Sequence, residues 1–211
     1  MIFYKPGDHK EAGFKHDPFK AFISPRPIGW IGSMDGQGRT NLAPYSFFNA
    51  MSSNPPVVVF GSGSHPDGAK KDSQRNVEDT GEFTVNIVAH ALKDEMNETS
   101  AALAYGEDEM QHAGLEGAPS NLIKPLRVAK APISMECEYL QTVEIECWAK
   151  PQRNFVIFGK VVGIHVSEEV IVDGIAKAEK WQPVSRLGYF DYATVTETFE
   201  MFRPKSAPGP T

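Results

Sequence analysis

Ile28-Gly29-Trp30-Ile31-Gly32-Ser33-Met34, Asp35-Gly36-Gln37-Gly38 and Thr40-Asn41-Leu42-Ala43-Pro44-Tyr45-Ser46-Phe47-Phe48 read, with Arg39 between, as strand, turn and strand. Asp35, Gly36 and Gly38 tolerate the positive φ values of a hairpin loop, so residues 40–48 are expected to pair back on 28–34. Asn54-Pro55-Pro56 then breaks the chain before Val57-Val58-Val59-Phe60, a continuous and mostly β-branched run of the kind buried on both faces. A loop of small residues, Gly61-Ser62-Gly63-Ser64, leads through Lys70-Lys71-Asp72-Ser73 into a helix predicted over 72–79, with Asp72 as N-cap and Gly81 beyond its end. That order of elements suits a site for a phosphate at the helix start and a planar ring beside the strands.

Working outward, Phe83, Val85 and Ile87 alternate with Thr84 and Asn86, which marks a further strand, and a helix is predicted over 91–103. Residues 105–119 are acidic and glycine-bearing, suited to a surface loop or short helix that covers a site. From 135 to 147 the odd positions Met135, Cys137, Tyr139, Val143, Ile145 and Cys147 form an apolar face, with Glu136, Glu138, Glu144 and Glu146 on the other. Residues 155–166 are apolar on both faces, and Gly159 and Gly163 mark expected bends. Many strands, strong curvature signals and few helices predict a mainly β protein built as a closed or partly closed barrel. Residues 1–19 read as an N-terminal arm and 201–211 as a proline-rich tail, which leaves one domain over 20–200. Ser24-Pro25-Arg26-Pro27 ends any short helix at 18–23, because each proline moves its predecessor out of the α region.

With 211 residues the chain can bury a core without disulfide or metal staples, and its formal charge of -6 disfavours broad contact with nucleic acid or an anionic membrane. Cys137 and Cys147 lack redox or zinc spacing and read as small buried residues. The six histidines form no HxH or HxxxH pair, there is no GxSxG elbow, and the Gly61–Lys71 region lacks the Walker A arrangement, so no metal, hydrolytic triad or nucleotide triphosphate is expected. The start of the chain is not a charged-then-apolar leader and the longest apolar run is too short to span a bilayer, which predicts a cytoplasmic protein.

Two local features carry chemistry. Small-residue amides after residue 60 and the helix start with Lys70, Lys71, Ser73 and Arg75 could hold a phosphomonoester, against the alternative of an ordinary solvated loop. Pro44 removes a ladder donor and Ala43 thins the wall, so residues 41–48 could present backbone groups to a planar ligand, against the alternative of a plain edge strand.

Taken together, Arg26-Pro27, Asp35-Gly36, Asn41-x-Ala43-Pro44-x-Ser46-x-Phe48, Ser53-Asn54-Pro55-Pro56, Lys71-Asp72-Ser73-x-x-Asn76, Gly81-Glu82-Phe83-x-Val85-Asn86, Gly159-x-Val161 to His165, and Arg186-Leu187-Gly188 resemble the flavin reductase-like family. The similarity spans about residues 20–195 and implies an FMN-binding split β-barrel with a few peripheral helices. It implies FMN, with FAD as an alternative, bordered at ring and ribityl chain by Asn41, Ala43, Pro44, Ser46 and Phe47, with Ser62, Lys71 and Ser73 near the phosphate. It also implies a homodimer with the flavin near the subunit interface. Three activities fit: an NADH- or NADPH-dependent reductase passing electrons to free flavin, a partner oxygenase or another acceptor; a flavoredoxin-like electron carrier; or a noncatalytic split-barrel binding protein. Hydride transfer to a flavin needs no general base, so the lack of a catalytic dyad agrees with the first two. Tyr189-Phe190-Asp191-Tyr192 departs from the family, where another glycine often precedes the aromatic, and Arg186 reads either as a contact to the cofactor region or as half of a structural salt bridge. His165 reads as a packed strand residue rather than a proton donor.

Overall fold

The computed structural model describes residues 1–202 and 204, so most of the proline-rich tail lies outside the described residues. Seven strands form one antiparallel sheet: β2 (Gly29–Met34), β3 (Thr40–Tyr45), β4 (Phe48–Ser53), β5 (Pro56–Gly63), β6 (Glu82–Ile87), β9 (Ile133–Ile145) and β10 (Asn154–Val166). A second sheet joins β1 (Arg26–Pro27), β13 (Val184–Arg186) and β14 (Tyr192–Thr194), and two short ribbons pair β7 (Gly117–Ala118) with β8 (Arg127–Val128) and β11 (Ile171–Val172) with β12 (Ile175–Ala176).

The main sheet runs β3-β2-β6-β9-β10-β5-β4. Its two edge strands, β3 and β4, are consecutive in the chain and separated only by Ser46 and Phe47. Three virtual bonds of 3.8 Å cannot span a flat seven-stranded sheet, so the sheet must curl until its edges approach. The Gly61 amide donates to the Phe47 carbonyl at 2.7 Å, which carries the β4–β5 pairing one residue further toward the seam. The strand expected over 40–48 therefore ends at Tyr45, because the chain must cross this seam before pairing again.

The β2–β3 hairpin forms as its turn residues dictate: Asp35 Oδ1 accepts from the Gln37 and Arg39 amides, both at 2.9 Å, and Gly38 takes φ 84. Inside the curled sheet Ile31, Phe60, Phe83, Val85 and Ile157 are fully buried, and Phe60 meets Phe83 edge-on at 5.6 Å. Register shifts in the β9–β10 pair fall at Phe158/Gly159 and Val161/Gly163, where the sequence placed bends. A Cβ on Gly159 would lie 2.2 Å from Phe83 Cζ, so the strand's curvature and the aromatic interior require each other. A second cluster with Trp30, Leu42, Leu92 and Met96 packs beyond the sheet.

The helices are peripheral: α1 (Phe19–Phe22), α2 (Asp72–Thr80), α3 (Lys93–Glu98), α4 (Glu109–His112) and α5 (Ala178–Trp181). Gly81 ends α2 in the left-handed conformation and donates to Val77 O, as its position predicts. Asp72 is the first helical residue rather than the N-cap; Lys71 takes that place with an extended backbone and no side-chain cap. The helix expected over 91–103 is shorter, a 3-10 turn at His90–Leu92 followed by α3, because the Thr99 hydroxyl bonds back to Met96 O and to Trp30 Nε1 and turns the chain. Residues 99–103 run on without helix. Alternation also misleads on β9: Glu136 is fully buried, whereas Val143 and Ile145 are exposed. No helix among the described residues is long and apolar enough to cross a membrane.

Candidate functional site

At the barrel seam lies a cleft of about 520 Å³ between β3, the end of β5, the start of α2 and the 99–103 segment. That volume suits a nucleotide-sized ligand. Asn41, Ala43, Pro44, Ser46, Phe47, Lys71 and Ser73 all line it. Ser62 does not: it is buried behind the wall, where its hydroxyl donates to the Gly63 carbonyl at 3.2 Å. Asn41 and Ser73, 32 positions apart in sequence, thus meet because α2 packs against β3.

One end of the cleft is built for an anion. The first turn of α2 carries no side-chain cap, so its amides have no partner from that source, and Lys71, Asp72 and Ser73 of this turn face the cavity. Ser73 is buried and its Oγ accepts from Asn41 Nδ2 at 2.9 Å, which leaves the hydroxyl proton free to donate. Gly63 also lines this end, with only Asn154 Oδ1 near the position of a Cβ, at 3.9 Å. Unfilled amides, an ammonium and a hydroxyl are the donor set a phosphate needs, and the residues present fit that end of FMN.

Less polar residues, Ala43, Pro44, Tyr45, Phe47 and Leu103, also line the cleft. Behind it runs a buried polar chain in which Asn41 and Asn76 both donate to Ser33 Oγ, at 3.3 and 3.4 Å. Burial raises the Tyr45 pKa against the opposing effect of the neighbouring Ser73 and Ser62 hydroxyls, so the phenol stays neutral. This wall would hold a planar ring by its faces and edges without presenting a charge.

Sequence reasoning missed the far wall, residues 99–103 and Glu109. Glu109 is 7% exposed, and its Oε2 accepts from the Leu42 amide at 2.9 Å. Burial raises its pKa, the Leu42 amide opposes that, and Asp72 and Asp108 add to it. No local pattern marks Glu109, since the acidic stretch around it reads as solvated. Of the segment expected to be a cover, Glu109 alone among the described residues lines the cleft, while Tyr105 packs against Arg39 and Arg75, whose Cζ atoms lie 4.9 and 4.5 Å from its ring centroid. His165 stays away from the cleft and bonds Glu136 Oε1 at 2.5 Å. Arg186 has no carboxylate at ion-pair distance among the described residues; it donates to the Tyr192 hydroxyl and the Tyr189 carbonyl, so the salt-bridge reading is set aside.

Comparison with known proteins agrees with this geometry. Residues 22–182 match the family described as Flavin reductase like domain. An uncharacterized protein of Deinococcus radiodurans is 39% identical over 196 residues, covering 87% of this chain and 82% of its own length. The crystal structure of nitrilotriacetate monooxygenase component B from Bacillus cereus superposes with a TM-score of 0.85 at 32% identity, over 95% of this chain and 98% of that one. The 2-nitrobenzoate 2-nitroreductase NbaA of Pseudomonas fluorescens gives 0.77 at 26% identity, over 90% and 91%. The expected fold, a split barrel with few helices, is the fold found.

Proposed function

Because the chain belongs to the flavin reductase-like family and thus to a group of flavin oxidoreductases, we propose that it binds FMN in the seam cleft and reduces it with NADH or NADPH. The observation that carries this reading is the pairing, in one cavity, of an uncapped helix start bearing Lys71 and Ser73 with the β3-end wall from Ala43 to Phe47. FMN, when bound, would supply the two-electron chemistry, and the protein's part is binding and alignment. Lys71, the Ser73 hydroxyl and the first amides of α2 hold the phosphate. Backbone groups near Ala43 and Ser46 orient the ring, and residues 99–103 limit access of water and of the second substrate. Ser62 acts from behind the wall by holding the Gly63 carbonyl at the end of β5.

The reduced flavin goes to a partner oxygenase or another acceptor, a reading supported by the likeness to a component of nitrilotriacetate monooxygenase. The protein works as a cytoplasmic homodimer. In support, Leu140, Val143, Ile145 and Trp148 near the tip of the β9–β10 hairpin are exposed, more apolar surface than a lone hairpin presents to water without a function.

The test is anaerobic. FMN-saturated protein is mixed with NADH and, separately, NADPH while the oxidised flavin absorbance is followed against free FMN. Bleaching faster than the control establishes the reductase half-reaction and names its donor. Unaccelerated bleaching with FMN still bound rejects it in favour of an electron carrier reduced by another protein, and failure to bind FMN rejects both.

A further inference from the structure

Beside the main cleft lies a second of about 380 Å³, and Lys20 and Ser46 line both. Among the described residues its walls carry Lys20, Arg26 and Arg186 against one carboxylate, Asp17, in a chain whose net charge is -6. Asp17 is already engaged: its Oδ1 accepts from the Phe19 amide at 3.0 Å.

Arg26 is the unusual member. It is 6% exposed, and its hydrogen bonds end on main-chain carbonyls alone: Lys20 O, Ile23 O at 2.5 Å and Leu187 O at 2.7 Å. Nε is buried with no partner. Carbonyls accept the protons but do not neutralise the charge, and neither Arg26, Arg186 nor Lys20 forms an ion pair among the described residues. Burial first, then the field of neighbouring Arg186, hold the Arg26 pKa below the ordinary arginine value. Two guanidinium groups at one cavity repel each other unless an anion joins them, and their planar forks match phosphate oxygens. Arg26 also reaches the ring-side wall of the main cleft, with Cζ 5.9 Å from the Phe47 ring centroid.

We propose that this second cleft is a phosphate subsite, filled by a phosphate group of the dinucleotide donor whose nicotinamide end enters the main cleft past Lys20 and Ser46. The assignment of the phosphate to the donor rests on the reductase reading above. Arg186 is the cation that adapts, since it is only half-buried and its present partners are a hydroxyl and a carbonyl. Arg26 supplies fixed charge from beneath.

The experiment is calorimetric titration of FMN-saturated protein with inorganic pyrophosphate, repeated with Arg186→Gln, Arg186→Lys and Lys20→Gln, alongside half-saturating NADH and NADPH concentrations in the anaerobic bleaching assay. Pyrophosphate should bind, compete with the donor and weaken about tenfold in Arg186→Gln, with partial recovery in Arg186→Lys. The half-saturating donor concentration should rise in parallel, while the FMN dissociation constant stays put. Lys20, whose exposed side chain makes no hydrogen bond, gives a variant that does not challenge the fold and should lose several-fold. No pyrophosphate binding, or equal binding by wild type and both charge-removing variants, overturns the subsite. Arg186-dependent pyrophosphate binding in a protein that neither nucleotide reduces removes the donor as the source and leaves a free phosphate compound as the occupant, a failure of the reductase reading rather than of the anion site.

Discussion

Glu136 on β9 and Glu109 on α4 are both buried, at 0% and 7% exposure, and the fold treats them in opposite ways. Around Glu136 burial raises the pKa, but the Asn121 and Leu122 amides, each at 2.7 Å, and His165 outweigh it, so the carboxylate titrates below its ordinary value. Around Glu109 burial wins, because one amide, that of Leu42, faces the added repulsion of Asp72 and Asp108. The first glutamate pins the 121–122 loop to the barrel and has both of its oxygens hydrogen-bonded. The second lies on the wall of the cleft with bonding capacity left over. Scaffold and site differ here less in how polar they are than in whether the chain itself satisfies its polar groups.

The largest expected effect lies on the scaffold side. Glu136→Gln keeps the shape but turns an NH₂ toward one of the two amide donors, which loses its acceptor, and it removes the charge that His165 faces. A loss of about 1.5–3 kcal/mol is expected, the worth of a hydrogen bond to a charged group. Urea unfolding at pH 7 measures it, and an unchanged midpoint would break the contrast drawn above.

Acid sharpens the same point. A carboxylate whose folded pKa is depressed lends stability above its unfolded value of 4.5 and loses it as pH falls through the lower folded value. Wild type should therefore lose stability to acid below pH 4.5, and Glu136→Gln should lose less over that window. Parallel loss in the two proteins, read by urea midpoints at steps from pH 6 to pH 3, would assign the acid sensitivity elsewhere.

The cleft should answer differently. Lys71→Ala is expected to weaken FMN about tenfold, roughly 1.4 kcal/mol, while the flavin-free protein unfolds as wild type does, because Lys71 is exposed and caps nothing with its side chain. Fluorescence quenching of FMN gives the affinity. Equal losses in affinity and in stability would mean that Lys71 belongs to the scaffold after all.

The same distinction explains what could be read from the sequence. The hairpin at Asp35, the buried run at Val57–Phe60, the stop at Gly81 and the bends at Gly159 and Gly163 each follow from local chemistry, and they were legible without coordinates. The seam was not, because nothing near Ser46 tells that the chain changes edges of a curled sheet there. Alternation placed Glu136 outside, since it cannot see the two loop amides that come from 15 and 14 residues away. On the cleft, the residues carried by β3 and by the helix start were legible as motif. Arg26 appeared in the motif without its lack of a counter-ion, and the 99–103 wall was hidden by a helix that Thr99 cuts short.

Glu109→Gln should have the smallest effect, and its sign is the informative part. The amide oxygen can still accept from Leu42, so the bond is weakened rather than lost, while a desolvated charge beside Asp72 and Asp108 disappears. At pH 7 these nearly cancel, with a change of less than about 1 kcal/mol and a lean toward stabilisation. A carboxyl whose folded pKa is raised contributes stability below its unfolded value of 4.5 and loses it as pH rises through the folded value. Glu109→Gln should thus gain on wild type as pH rises above 4.5, the reverse of the Glu136 trend. If both glutamine variants instead lose stability alike at pH 7, Glu109 is as fully satisfied as Glu136, and the cleft has no spare carboxylate to offer a ligand.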